Sequence, residues 1–432
     1  MMLSVKPRGV VSRAALSALA VLGVCVPNAG AAWSSPAVLV TGDEGSLLAT
    51  VIRPEGTLRA AIGDTRRGIA MGLTDATGPA AFSDPLVALR TPAAVAQVAL
   101  AADGSGVALQ VQRQASSSVV GFDAAGTLRP PLALDDVGGA AVAVSPGGAA
   151  GAAWIAKTPQ GYAVVGAFRD PGATTFGAPV RAGYAAARDT IVQIGIGDRG
   201  EAVVSWQVNG FPSAVAAAVR LPGAGFSKAR FVSRGAIDAQ LAVGPGGQAI
   251  LATPHGAQLD VSVKPPGAAA MPVARRIDRG EGFATGVAAS GERQVAMAWL
   301  AAPARRGRAR VRVYAGAARA RGPRRIGTLG RDARGEVVRV AVDARGATVV
   351  SWEEALPPKR GNPTARSQLG VAYRPGGRRF GRPTYLGPVA LFDTPQSLQV
   401  GAGGRAYVLY EAFQPDIGLG SYRRVYVAER RP

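Results

Sequence analysis

The sequence predicts an all-β fold made from one short unit repeated along the chain. Three observations carry that expectation. Apolar residues alternate with small or polar ones in short runs, as in Arg310-Val-Arg-Val-Tyr314, and a period of two marks strands. The 58 Gly and 31 Pro among 432 residues punctuate these runs closely enough for many turns. Finally, a skeleton recurs: an apolar residue, three turn residues, Gly, five small or β-branched residues, then an aromatic place. Val342-Asp-Ala-Arg-Gly346 leading to Trp352 is its clearest copy.

Eight copies align. Their Gly places are Gly56, Gly104, Gly148, Gly200, Gly247, Arg293, Gly346 and Gly404, with Arg standing in for Gly in the sixth. The aromatic places are Ile62, Gln110, Trp154, Trp206, Thr253, Trp299, Trp352 and Tyr410. Gly56 to Gly404 is 348 residues over seven intervals, so the period is about 50. Within each copy, strand A precedes the Gly turn and strand B runs from it to the aromatic place. Strand C is a second alternating run, such as Gly161–Phe168. A fourth segment, D, opens on a large apolar residue with Pro three later, as in Phe82-Ser-Asp-Pro85, Phe176-Gly-Ala-Pro179 and Phe380-Gly-Arg-Pro383. Proline there suits an edge strand, which needs fewer ladder donors.

Four antiparallel strands in about 50 residues resemble a β-propeller blade. The chain resembles secreted bacterial β-propeller repeat proteins over residues 33 to 432. The resemblance rests on the repeat and on no functional motif. It implies eight four-stranded blades, with seven as the alternative. The ends predict how the ring closes. Val425–Pro432 reads as strand C of an eighth unit that lacks its D strand, and Trp33-Ser-Ser-Pro36 matches the D pattern. The N-terminal strand is therefore expected to complete the last blade and remove two exposed sheet edges. The Trp-Asp dipeptide of one propeller family is absent, and so is the Asp-box of sialidase-like propellers. No activity follows from the architecture alone.

Residues 1–31 read as a secretory signal peptide, and residues 32–432 as a single propeller domain. Lys6, Arg8 and Arg13 form a basic start, Ala14–Val26 is an apolar run too short to span a bilayer, and Ala29-Gly-Ala31 is a cleavage site. An uncleaved anchor is the alternative. Cys25 is the only cysteine, and Val24 before it fits a lipoprotein signal poorly. A chain cleaved after Ala31 is expected to carry no disulfide and no thiolate zinc site. The expected location is secreted or extracytoplasmic, with attachment to the cell surface left open.

Few residues point to chemistry. The four tryptophans at one repeat position are expected to pack between blades, against the alternative of an aromatic ring around a binding face. His255 is the sole histidine, so no histidine-based triad partner or second imidazole ligand exists. The adjacent carboxylates Asp135-Asp136 and Glu353-Glu354 point to opposite faces of a strand and form no acid–base pair. Asp103, Asp198 and Asp343 are expected to bond the turn backbone. No Asp-rich calcium loop is present. No catalytic residue, metal site or cofactor is assigned.

Charge says more. The formal net charge is +21; residues 32–290 hold 20 basic and 18 acidic residues, whereas residues 291–432 hold 26 and 10. Loops add to this asymmetry. The B–C connections of units six, seven and eight, read as Leu300–Arg308, Glu353–Ser367 and Glu411–Ser421, are longer than those of the first five. Long loops on a rigid scaffold commonly carry binding. Arg305, Arg306, Arg308, Arg310, Lys359 and Arg360 are the candidate ligand-binding residues, on one basic face of blades 6–8. The expected partner is an anionic polymer or envelope component; nucleic acid is disfavoured because few aromatics interleave with the arginines. The sequence thus predicts an exported, non-enzymatic binding or scaffold propeller. The alternative is a glycan-acting hydrolase or lyase with its site in the central funnel.

Overall fold

The computed structural model describes residues 32–42, 45–64, 67–78, 81–83, 85–90, 94–111, 117–134, 138–208, 213–236, 239–302, 308–319, 322–356, 367–389, 396–416 and 420–432. The chain divides into Met1–Ala31 and Ala32–Pro432, and all the described residues belong to the second unit. The residues predicted as leader, with Cys25, and the pair Asp135-Asp136 lie outside the described residues.

Eight separate sheets follow one another along the chain, and each is one blade. The A strands are Gly45–Ile52, Ala94–Leu100, Ala140–Val144, Val192–Ile196, Gln240–Val243, Glu281–Ser290, Ala333–Val342 and Gln396–Val400. The B strands are Leu58–Asp64, Gly106–Val111, Ala150–Thr158, Ala202–Val208, Ala249–His255, Gln294–Ala302, Thr348–Ala355 and Ala406–Asp416. The C strands are Ile69–Gly78, Ser117–Phe122, Gly161–Arg169, Ala214–Arg220, Gln258–Lys264, Arg310–Ala317, Ser367–Arg374 and Gly420–Arg430. The D strands of blades 1 to 7 are Leu86–Arg90, Leu132–Leu134, Val180–Ala185, Arg230–Arg234, Arg275–Arg279, Arg324–Leu329 and Thr384–Val389. Each pairs antiparallel with its neighbour in the order A-B-C-D. Successive A strands touch one another, and the eighth touches the first, so the A strands form the inner ring of an eight-bladed propeller. Blade 1 carries one extra short strand, Ala81–Phe82, on its strand C.

The ring closes as the chain ends predict. Ala37–Gly42 is the D strand of blade 8, with Ala37 opposite Val427 and Gly42 opposite Arg423. Trp33 bridges to Arg430, and Ser34 exchanges hydrogen bonds with Glu429. The Phe-x-x-Pro segments do not lie inside strand D but lead into it. Pro179 precedes Val180, Pro383 precedes Thr384 and Pro36 precedes Ala37, so the proline sets the entry and leaves every ladder donor in place. In blades 3 to 7 the C–D ladder carries one bulge, which adds local twist at the outer edge.

The A–B turns explain the repeated glycine. Gly56, Gly104, Gly148, Gly200, Gly247, Gly346 and Gly404 all have φ between 75° and 89°, a region costly for residues with a Cβ. Blade 6 breaks the pattern consistently. Ser290 pairs with Gln294 across a shorter turn, and Gly291 (φ 54°) takes the left-handed position, so Arg293 is not required to adopt it.

In blades 1, 3, 4, 6, 7 and 8 the aromatic place packs the blade on the one before it. Trp154, Trp206, Trp299 and Trp352 are at most 4% exposed, and Trp352 sits in the core shared by blades 6 and 7. Trp299 joins blade 5 to blade 6, Tyr410 joins blade 7 to blade 8, and Ile62 packs on Tyr407 and Leu409 of blade 8. The packing expectation holds for these rings, and one of them, Trp206, also lies at the floor of an open pocket of about 310 Å³ with the exposed Tyr184 and Phe231. One loop expectation does not hold. Glu411–Ser421 is not a long connection: the two strands of blade 8 continue as a hairpin until Asp416 pairs with Gly420.

Candidate functional site

Two of the six candidate residues fall within the described structure. Arg308 precedes strand C of blade 6 and Arg310 opens it, and both are exposed. Arg305, Arg306, Lys359 and Arg360 lie outside the described residues. Residues two apart on a strand share a face, so Arg308, Arg310 and Arg312 line one side of blade 6. Val311 and Val313, fully buried, fill the opposite side toward blade 7. The cross-strand partner of Arg312 on strand D is Thr328, and that of Tyr314 is Arg325. Together Arg308, Arg310, Arg312, Arg325, Thr328 and Ala301 line an open pocket of about 350 Å³.

The four guanidinium groups are not equivalent. Arg312 Nη1 donates to Asp278 Oδ1 of blade 5 at 2.6 Å and to the Arg279 carbonyl at 2.7 Å, and its guanidinium lies over the Trp299 ring. Tyr314 donates its hydroxyl proton to the same Asp278, and burial together with that bond pushes the phenol well above its usual range. Asp278 therefore neutralises Arg312 and ties blade 5 to blade 6. Arg308, Arg310 and Arg325 pair with no carboxylate among the described residues. These three cations around one pocket suit an anionic group. Arg325 was not among the sequence candidates. It belongs to another strand, and only the C–D register brings it there.

Among the described residues, some of the C-terminal charge lies away from this pocket. Arg378 and Arg379 are exposed in the C–D turn of blade 7, at the opposite end of the blade from the B–C connections. Other basic groups are structural. Arg220, Lys264, Arg374 and Arg430 each end a C strand, and each donates to the carbonyl of its own blade's turn glycine: Gly200 at 2.9 Å, Gly247 at 2.7 Å, Gly346 at 3.4 Å and Gly404 at 2.7 Å. Arg405 reaches the Gly56 carbonyl of blade 1 at 3.0 Å. Arg220 and Arg430 also stack on Phe168 and Tyr373, the last-but-one residues of the preceding blade's strand C. The sequence shows these residues only as charge, because each bond spans a whole hairpin. Of the predicted basic face, the described residues show the part on blade 6.

The remaining candidates have structural places. His255 ends strand B of blade 5, with Nε2 3.8 Å from Asp260 Oδ2. Glu354 accepts from the amides of Arg331 and Asp332 (2.6 and 2.8 Å) and from Trp352 Nε1 (2.6 Å), so it fastens the connection from blade 6 to blade 7. Asp103 and Asp343 bond their own turns, as predicted. Asp198 instead accepts from Gly147 N of the preceding blade at 2.7 Å. No group of three or more metal-ligating side chains occurs among the described residues, and no described helix is long and apolar enough to cross a membrane.

No protein-family model and no curated protein matches the chain. Solved structures resemble it in fold. The Dos1 propeller is 10% identical over 91% of this chain and 93% of that one, with a TM-score of 0.45. The β-propeller domain of the Trilobed protease from Pyrococcus furiosus is 10% identical over 81% and 97%, with a TM-score of 0.44. The polysaccharide lyase Uly1 is 9% identical over 76% and 88%, with a TM-score of 0.39. Such distant likeness bears on architecture alone, and the propeller assignment rests on the strand pairing above.

Proposed function

We infer that this chain is an exported, non-enzymatic binding or scaffold propeller that acts at or outside the cell envelope and takes an anionic polymer or headgroup on the basic surface of blade 6. One observation carries the reading: Arg308, Arg310 and Arg325 converge on one open pocket without a carboxylate partner. Unlike Arg374 or Arg430, whose guanidinium groups hold turn carbonyls, these three have no such structural bond that accounts for their charge. Thr328, whose hydroxyl accepts from Arg325, adds a polar group to the pocket wall. The apolar start of the sequence supports export, and the charge excess of residues 291–432 supports attraction of polyanions from a distance. By sequence, Glu281 and Glu336 are the only carboxylates of the inner strands.

The test is retention on isolated cell envelopes. The triple variant Arg308→Ser, Arg310→Ser, Arg325→Ser should elute at clearly lower salt than wild type, because screening removes what these charges contribute. Equal elution would refute a dedicated basic site.

A further inference from the structure

Arg169 occupies the basic place at the end of strand C in blade 3 but makes none of that place's bonds. It pairs with Ala150 across the ladder, as Arg220 pairs with Ala202, Lys264 with Ala249, Arg374 with Thr348 and Arg430 with Ala406. In those four blades the cation donates to the turn glycine. In blade 3 the corresponding Gly148 carbonyl accepts no such bond, and Arg169 Nε and Nη1 are buried without a hydrogen-bond partner. The residue is 2% exposed.

Where Phe168 and Tyr373 give Arg220 and Arg430 a platform, blade 2 has Gly121. A Cβ on Gly121 would stand 2.3 Å from Arg169 Nη1, so the guanidinium lies directly against that glycine. The same point is 3.4 Å from Arg129 Cδ, so a second arginine reaches the same spot. Arg129 Nη1 is held by the Ala173 carbonyl at 2.7 Å. The Phe176 ring covers Arg169 on another side, 5.6 Å from ring centre to guanidinium carbon. Asp103 is the carboxylate that acts on Arg169, but it is exposed and accepts from its own turn, at Ser105 N. Burial, and then the charge of Arg129, pull the Arg169 guanidinium down to about 10, which leaves it cationic at neutral pH. A buried cation with unpaired donors beside a second cation is costly unless an opposite charge accompanies it.

We propose that Arg169 and Arg129 hold one small inorganic anion of halide size where the end of blade 2 meets strand C of blade 3. This site is separate from the blade 6 pocket and does not depend on its function. The probe is bromide. Crystals of the wild-type chain grown in sodium bromide should show an anomalous peak in contact with Arg169 Nε or Nη1. In solution, melting temperature should rise with bromide relative to gluconate at equal ionic strength, by roughly 1–2 °C per tenfold increase once the site is filled. Arg169→Met and Arg129→Met should each flatten that response, and the Arg308/Arg310/Arg325 triple variant should keep it. If Arg169→Met does not fold, the wild-type anomalous map and Arg129→Met decide the matter. No ordered bromide at Arg169, or equal melting in the two salts, would overturn the proposal and leave water as the partner of these donors.

Discussion

Trp352 is fully buried, contacts blade 6 on one side, and donates Nε1 to Glu354, which in turn accepts from two amides of the connection between blades 6 and 7. Trp352→Ala removes a large apolar group from a shared core and leaves a buried carboxylate short of one donor, so a loss of about 3–5 kcal/mol is expected in chemical denaturation. A loss below about 1 kcal/mol would mean that the aromatic place is not the joint between blades. Tyrosine offers a pH reading at the same scale. Burial raises Tyr410, with the neighbouring Tyr426 adding to it, and burial followed by Asp278 raises Tyr314, both from the usual 10.0. In the unfolded chain these phenols ionise near pH 10 while the folded chain keeps them neutral. Their contribution to stability is therefore complete below pH 10 and is lost as pH climbs from there toward the folded values. Tyr410→Phe should shallow the alkaline fall in melting temperature above pH 10 and leave it nearly unchanged at pH 7; an identical alkaline profile would show that Tyr410 titrates normally. The Trp places were legible because one residue type recurs at one spacing. The roles of Glu354 and of the arginines on turn carbonyls were not, because they are contacts between segments that no local pattern marks.

At the scale of elements, the skeleton of turn glycine and alternating runs located nearly every strand, since period two and left-handed turns both leave residue-level signatures. Blade 8 shows where that reading failed. Gln414-Pro-Asp-Ile-Gly-Leu-Gly420 has loop composition, yet the ladder runs through Pro415, which pairs with Ser421. Composition reports local preference, whereas the hairpin is held by pairing along its whole length. The closing strand was readable because Trp33-Ser-Ser-Pro36 repeats the lead-in of strand D. Its energetic role is testable. Deleting residues 32–42 leaves the edge of Gly420–Arg430 unpaired, so the shortened chain should melt several degrees lower and associate as concentration rises. Unchanged melting and a monomeric shortened chain would show that the ring does not need this strand.

For the whole molecule, the positive charge separates into two kinds. One part holds the propeller together through turn carbonyls and inter-blade ion pairs such as Arg312 with Asp278, and through pairs within a blade such as Arg59 with Asp75, the latter at 2.6 Å. The other part has no such use among the described residues, and three of its members, Arg308, Arg310 and Arg325, line one pocket on blade 6. The sequence shows only the sum of the two, and the register of strands C and D sorts one from the other. On the proposed function, location rather than net charge decides binding. The most direct measurement is affinity for a soluble anionic polysaccharide, dextran sulfate, compared among wild type, the Arg308/Arg310/Arg325→Ser variant and a charge-matched variant with the exposed Arg90, Arg199 and Arg234 changed to Ser. The blade 6 variant should bind about tenfold or more weakly, a difference of about 1.4 kcal/mol, while the charge-matched variant stays within about threefold of wild type. Equal weakening of both variants would contradict the account and assign the attraction to net charge alone.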